Sequence, residues 1–184
     1  MLVIVEGIDR VGKSTLVEKL VNECGFVQYL CESKKFPVWY IDADERKFDA
    51  FPKICDLGCR DDVLANLSKM NAEVCMLEAL MPYVGKPVII DRLHFSEAVY
   101  GNADRDYSCS DAFFDFDYRL SKLGATVIYV EPTDIERSSN EHGEDLSLHA
   151  KMFDDLLKVS ACEVQRLKYD QIDEVVKQWK GKLQ

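Results

Sequence analysis

No apolar run in this sequence approaches the length needed to cross a membrane, so a helical membrane protein is excluded on hydropathy. Positive charge is also scarce. There are 23 Lys and Arg against 33 Asp and Glu, giving a formal net charge of -10 and a pI of about 4.8. That balance argues against a sequence-independent grip on a nucleic-acid polymer or an anionic membrane, because both need a broad basic surface. The 7 cysteines are odd in number and irregular in spacing, and Cys31, Cys75, Cys109 and Cys162 fall in apolar runs. They read as reduced thiols, not a disulfide framework. Cys55 and Cys59 have no second Cys/His pair at zinc-ligand spacing. Repeats, low-complexity segments and an Asn-Lys-x-Asp guanine-reading motif are absent from the sequence. Met1-Leu2 runs straight into an apolar stretch with no leader pattern, so the expectation is a cytoplasmic protein, in the host cytoplasm if the source is viral.

What the chain does have is a loop signature at its start. Residues 2–15, LVIVEGIDRVGKST, fit G-x-x-x-x-G-K-[ST] behind a short apolar run. Val3 to Val5 are consecutive and apolar, as expected of a strand buried on both faces of a parallel sheet. Gly7 and Gly12 let the backbone close around a phosphate, with Ile8, Asp9, Arg10 and Val11 between them presenting N–H groups inward. Lys13 is placed to reach β- and γ-phosphates, and the Ser14 hydroxyl to hold Mg²⁺ directly or through water. From Ser14-Thr15 onward the apolar spacing is helical, and a helix N-terminus adds its own attraction for an anion.

With 184 residues, 47% of them hydrophobic, residues 1–184 are expected to form one well-buried domain. Gly25 ends the first helix, and Phe26 to Cys31 reads as a second strand. Lys34-Lys35-Phe36-Pro37 forms a loop. A long helix is expected from about Asp61 to Tyr83, lying on the sheet through Val63, Leu64, Leu67, Met70, Val74, Leu77 and Leu80. Lys86 to Asp91 is a third strand, followed by helices at about His94 to Asn102 and Ser110 to Leu123. Gly124 caps the latter before a fourth strand at Ala125 to Glu131. A helix starts at Pro132-Thr133-Asp134, a polar loop spans Asn140 to Leu146, and another helix spans Ser147 to Ala161. Val164 to Tyr169 is a fifth strand, and Asp170 N-caps a closing helix to Leu183. This alternation predicts an α/β fold, a doubly wound five-stranded parallel sheet with helices on both faces and ligands at the carboxyl ends of the strands.

The third strand ends in Asp91-Arg92. Its carboxylate can complete a Mg²⁺ shell opposite Ser14, and the neighbouring guanidinium can bind a phosphate in two-pronged fashion.

The loop segment 6–15 resembles the phosphate loop of thymidylate kinases. Residues 91–101, DRLHFSEAVYG, resemble the Asp-Arg segment of those enzymes and of related phage and bacterial deoxynucleoside monophosphate kinases. Lys35-Phe36-Pro37 resembles their Arg-Phe-Pro turn, and the likeness runs over nearly the whole chain. It implies a P-loop kinase using ATP and Mg²⁺, with dTMP the first expected acceptor. Asp9 would bind the sugar 3′-hydroxyl and orient the acceptor, and Arg10 would bridge donor and acceptor phosphates as a catalytic cation beside Lys13. Arg92 would hold the acceptor phosphate, with Lys35, Phe36 and Pro37 nearby, and Tyr100 would crowd the sugar 2′ position and favour deoxyribose. Arg137 would pack on the donor adenine at the start of a short lid, about residues 137–146, that carries no second arginine. Where thymidylate kinases place an aromatic ring and an arginine on the long helix to hold thymine, this chain has Leu67 and Asn71. Leu67 packs without stacking, and the Asn71 amide offers both a donor and an acceptor, so base preference is open. Trp39 also stands where a basic phosphate contact is common. His142 in the lid reads as solvent-exposed. Monomer and homodimer are both left open.

Two other readings compete. In a deoxynucleoside kinase the acceptor is the sugar 5′-hydroxyl and a general base is needed, for which Glu32 could be offered. In a nucleotide-dependent switch, the Asp-Arg pair has no evident purpose.

Overall fold

Every residue of β1 (Leu2–Glu6) is fully buried. Successive strand residues face opposite sides, so complete burial requires both faces of the sheet to be covered around this strand. The computed structural model describes residues 1–29, 59–104, 110–133 and 146–183. The remaining elements are α1 (Lys13–Cys24), β2 (Val27–Tyr29), α2 (Cys59–Leu80), β3 (Val88–Asp91), α3 (His94–Asp104), α4 (Ser110–Lys122), β4 (Ala125–Glu131), α5 (Ser147–Val159), β5 (Glu163–Lys168) and α6 (Ile172–Leu183). The sheet is parallel throughout, in the order β2-β3-β1-β4-β5.

Strand composition follows position. The central strands β1, β3 and β4 are nearly continuous Val/Ile/Leu runs, whereas β2 and β5 at the edges carry Gln28, Gln165 and Arg166 and are largely exposed. Helices α1 and α6 pack together, with a Lys19–Asp173 ion pair and Phe26 edge-on to Trp179 at 5.7 Å. On the other side α3 packs with α4 and α5, and α2 lies along α4.

Several expectations are adjusted. The long helix ends at Leu80, with residues 81–83 forming a turn. Val74 and Leu77 enter the core, but Leu80 is 44% exposed and Cys75 is also exposed, so the buried stripe is narrower than the apolar pattern implies. Asp170 does not cap the last helix. The chain makes a 3-10 turn at Tyr169–Gln171, whose cap is the Gln171 amide oxygen accepting the Lys168 N–H at 2.9 Å, and α6 begins at Ile172. The described cysteines Cys24, Cys75 and Cys162 are free thiols, as expected. No described helix is long and apolar enough to cross a membrane. The helix start expected at Asp134, the lid with Arg137 and His142, and Lys35, Phe36, Pro37, Trp39 and Glu32 lie outside the described residues.

Candidate active site

The central strand delivers the loop to the middle of the sheet's carboxyl edge. Gly7 has φ 146° and packs so closely on β4 that an added Cβ would stand 2.7 Å from the Val130 carbonyl oxygen. Gly12 has φ 93°, and its missing Cβ makes room for the Tyr169 ring, whose Cε2 would lie 2.6 Å away. Both glycines are therefore required by backbone and by space. Ile8 and Val11 are buried and anchor the loop from below, while Asp9 and Arg10 stand exposed at its mouth. Arg10 itself is left-handed, with φ 65°.

Lys13 is buried, and its Nζ donates to the Ile8 carbonyl at 2.5 Å across the loop. Burial and the nearby Arg92 guanidinium lower its pKa to about 8, although Asp9, Asp91 and Glu6 act in the opposite sense. A phosphate in the loop would offer Lys13 an anionic partner and further favour its charged form. Thr15 is half-buried at the start of α1, and the adjacent Ser14 is exposed, its hydroxyl 3.5 Å from Asp91 Oδ2. The other carboxylate oxygen of Asp91 is buried without a hydrogen-bond partner among the described residues. An orphaned carboxylate oxygen beside a hydroxyl is an all-oxygen donor set of the kind Mg²⁺ takes, so these residues fit that ion.

Arg92 follows on the same strand exit, also left-handed with φ 65°. Its guanidinium pairs with Asp9 of the loop and lies over the Tyr100 ring at 5.4 Å. Tyr100, on α3, is partly buried, and its hydroxyl is without a hydrogen-bond partner among the described residues. Burial, opposed by Arg92, pushes the Tyr100 hydroxyl to about 12, which keeps it a neutral donor. Thus Asp9, Lys13, Ser14, Asp91, Arg92 and Tyr100, distant in sequence, meet at one edge of the sheet.

Asn71 is tied instead to the seam between α2 and α4. Leu67 packs against the core. The Asn71 side-chain oxygen accepts from Arg119 at 2.7 Å, and Arg119 also forks onto Glu78 at 2.9 and 2.7 Å. The acceptor half of Asn71 is therefore engaged, leaving its amide NH₂ as the half with no such commitment.

Sequence reasoning missed Glu6. Its side chain is fully buried where β1 enters the loop, accepting the Leu93 N–H at 2.8 Å and the Ser96 hydroxyl at 2.5 Å. The available signal was an acid closing a wholly apolar strand, which must find partners when buried. A second buried network was also missed: His94 pairs with Asp117 at 3.0 Å, and Asp117 accepts from Ser160 at 2.8 Å and the Ala161 N–H at 2.5 Å. His94, Asp117 and Cys162 come close enough to suggest a metal, but both Asp117 oxygens are already hydrogen-bonded and burial pushes the Cys162 thiol up to about 12. The group is a structural clasp joining α3, α4 and the start of β5.

With this geometry in view, solved structures supply a fold comparison. The YorR protein of Bacillus subtilis in complex with phosphorylated GDP matches at TM-score 0.59 and 20% identity, over 97% of this chain and 92% of that one. A deoxyadenosine kinase from M. mycoides matches at TM-score 0.57 with bound dATP, at 14% identity, over 100% of this chain and 99% of that one. The same enzyme with products dCMP and dCDP matches at TM-score 0.54. This chain shares the fold of these proteins. No protein-family model and no curated protein sequence matches it. Within that fold, the Lys13 loop occupies the carboxyl edge at the point where the strand order turns back about β1.

Proposed function

We propose that this chain is a phosphotransferase that moves the γ-phosphoryl group of ATP onto a deoxynucleoside 5′-monophosphate, with dTMP the first acceptor to try. The observation that carries the reading is the Arg92 guanidinium, stacked on Tyr100 and paired to Asp9, a few residues of loop away from Lys13. That arrangement supplies a second cationic centre beside the donor site, suited to an acceptor that brings its own phosphate.

In this reading the loop N–H groups and Lys13 hold the donor phosphates. Arg10 at the loop mouth neutralises charge on the transferring group, and Arg92 holds the acceptor phosphate in line. Asp9 orients the acceptor sugar while restraining Arg92. The neutral Tyr100 ring borders the sugar, and its buried hydroxyl has a proton to give to a ligand oxygen. Mg²⁺ at Ser14 and Asp91 would neutralise charge on the donor phosphates. Little covalent chemistry is asked of the protein; alignment and charge stabilisation do most of it. On α2 the Asn71 amide NH₂ is the donor offered to a carbonyl of the base, and Leu67 the apolar surface. Arg137, Lys35, Phe36 and Pro37 keep the binding roles that the family resemblance implies.

A second reading is a deoxynucleoside kinase, favoured by the fold match to a deoxyadenosine kinase. The two separate in one experiment: ADP release with ATP and Mg²⁺ across deoxynucleoside monophosphates, deoxynucleosides and the matching ribonucleotides. Turnover on deoxymonophosphates supports the proposal. Turnover confined to unphosphorylated nucleosides replaces it with the second reading, and silence on every acceptor points to a nucleotide-binding switch.

A further inference from the structure

The Arg92 backbone is left-handed, with φ 65°, a conformation that a side-chain-bearing residue holds only where its surroundings over-determine it. One restraint is the sheet itself, since the Arg92 N–H donates to the Val5 carbonyl at 2.9 Å. The restraint on the other side of Arg92 is Glu6. Its carboxylate takes the very next N–H, that of Leu93, on one oxygen and the Ser96 hydroxyl on the other. Glu6 thereby grips the chain immediately after Arg92 and again in the first turn of α3, the helix that carries Tyr100. Because Gly7 follows Glu6 directly, the same side chain is anchored at the root of the phosphate loop.

We infer that Glu6 is the positioning residue that locks the Arg92 arm to the phosphate loop and so sets acceptor binding, without itself touching either nucleotide. The inference rests on the phosphotransfer reading of the Arg92 site. A buried carboxylate here has the length to span from β1 to the α3 N-terminus, and its charge favours the cationic forms of Lys13 and Arg92. Asp would fall short of Leu93 or Ser96. Gln keeps the acceptor for Leu93 and loses the charge.

The experiment is a double-mutant cycle with steady-state kinetics, using Glu6→Gln, Arg92→Ala and the pair, with Ser96→Ala as a milder variant that keeps the Glu6 charge. Expected for Glu6→Gln is a rise of about tenfold or more in acceptor KM with ATP KM little changed, and for Ser96→Ala a smaller rise of the same kind. In the Arg92→Ala background, Glu6→Gln should add nothing, because the group it positions is gone. Equal losses on both substrates, or additive effects with Arg92→Ala, would overturn the inference in favour of a purely structural acid.

A crystal structure of Glu6→Gln or Ser96→Ala separates this result from the fate of the proposed reaction. Displacement of the Arg92 guanidinium from Asp9 upholds the positioning role even if no monophosphate is turned over. An unmoved Arg92 arm in both variants ends it even if the wild-type kinase activity is confirmed.

Discussion

The phosphate loop and the α2–α4 seam are built on opposite principles. The loop hangs from the most buried of the described strands, and its shape is set by residues within the segment 6–15 together with close backbone neighbours such as Val130. The seam is assembled from side chains on separate helices, half-exposed, and held by Arg119 reaching to Asn71 and Glu78. The first region is fixed by backbone contacts that leave no room for a side chain at Gly7 or Gly12. The second depends on where two helices bring their side chains together. Glu6 and the Arg92 backbone join the root of the loop to the chain that leads into α3.

If that division holds, damage to the loop should be catalytic and severe. Lys13→Met is expected to lower kcat by about 10³-fold while leaving the thermal unfolding midpoint near that of the parent, measured by ADP release and calorimetry. A much smaller loss would mean that Lys13 is only a loop-stabilising group bonded to Ile8.

Damage to the buried side of α2 should be structural. Leu77 is 1% exposed, so Leu77→Ala is expected to cost about 2–5 kcal/mol in urea unfolding, with the KM for ATP unaffected in the protein that remains folded.

pH offers a gentler separation. Lys13 has its pKa lowered by burial, then by Arg92, from the ordinary 10.5 to about 8. The free enzyme should therefore lose donor affinity as pH rises through about 8, seen as a fall in kcat/KM for ATP that Lys13→Arg moves to higher pH. The stability effect has the opposite direction. Between about 8 and 10.5 the unfolded chain binds the proton that the folded chain has released, so this group's contribution to stability rises with pH across that window. Below about 8 its burial is a standing cost.

The smallest effect is expected at the seam. Arg119→Ala breaks a part-exposed ion pair and should cost about 1 kcal/mol or less. Its informative consequence is the release of the Asn71 acceptor. The ranking of deoxymonophosphates by kcat/KM in competition assays should shift, whereas Lys13→Met lowers all of them together. An unchanged ranking would remove Asn71 from base recognition.

Much of the fold was legible because its signals are local. The apolar runs at 2–5, 88–90 and 125–130 are strands, and Gly25 and Gly124 end the helices before β2 and β4 with φ 74° and 70°. The α6 start was misread because Asp170 is a good cap by type. The observed turn is instead capped locally by Gln171 and places Tyr169 on Gly12, a contact between residues far apart in sequence. The site was half legible: the loop and Asp91-Arg92 follow from pattern. Glu6 and the His94–Asp117 clasp did not, since a buried polar residue reveals its partners only once the strands and helices are packed.

The sequence by itself determined where a glycine-bounded loop would stand between a buried strand and a helix, because that element needs only short-range geometry. It also determined a central sheet of parallel strands, through continuous apolar runs that only two-sided burial explains. Tertiary structure alone decided that Arg92 meets Asp9 and Tyr100, that Asp91 keeps one oxygen unpaired beside Ser14, and that Asn71 gives its acceptor to Arg119. Those pairings depend on the strand order β2-β3-β1-β4-β5 and its register, which sets Val5 beside Asp91. Register is a property of packed elements, and no single segment of chain carries it.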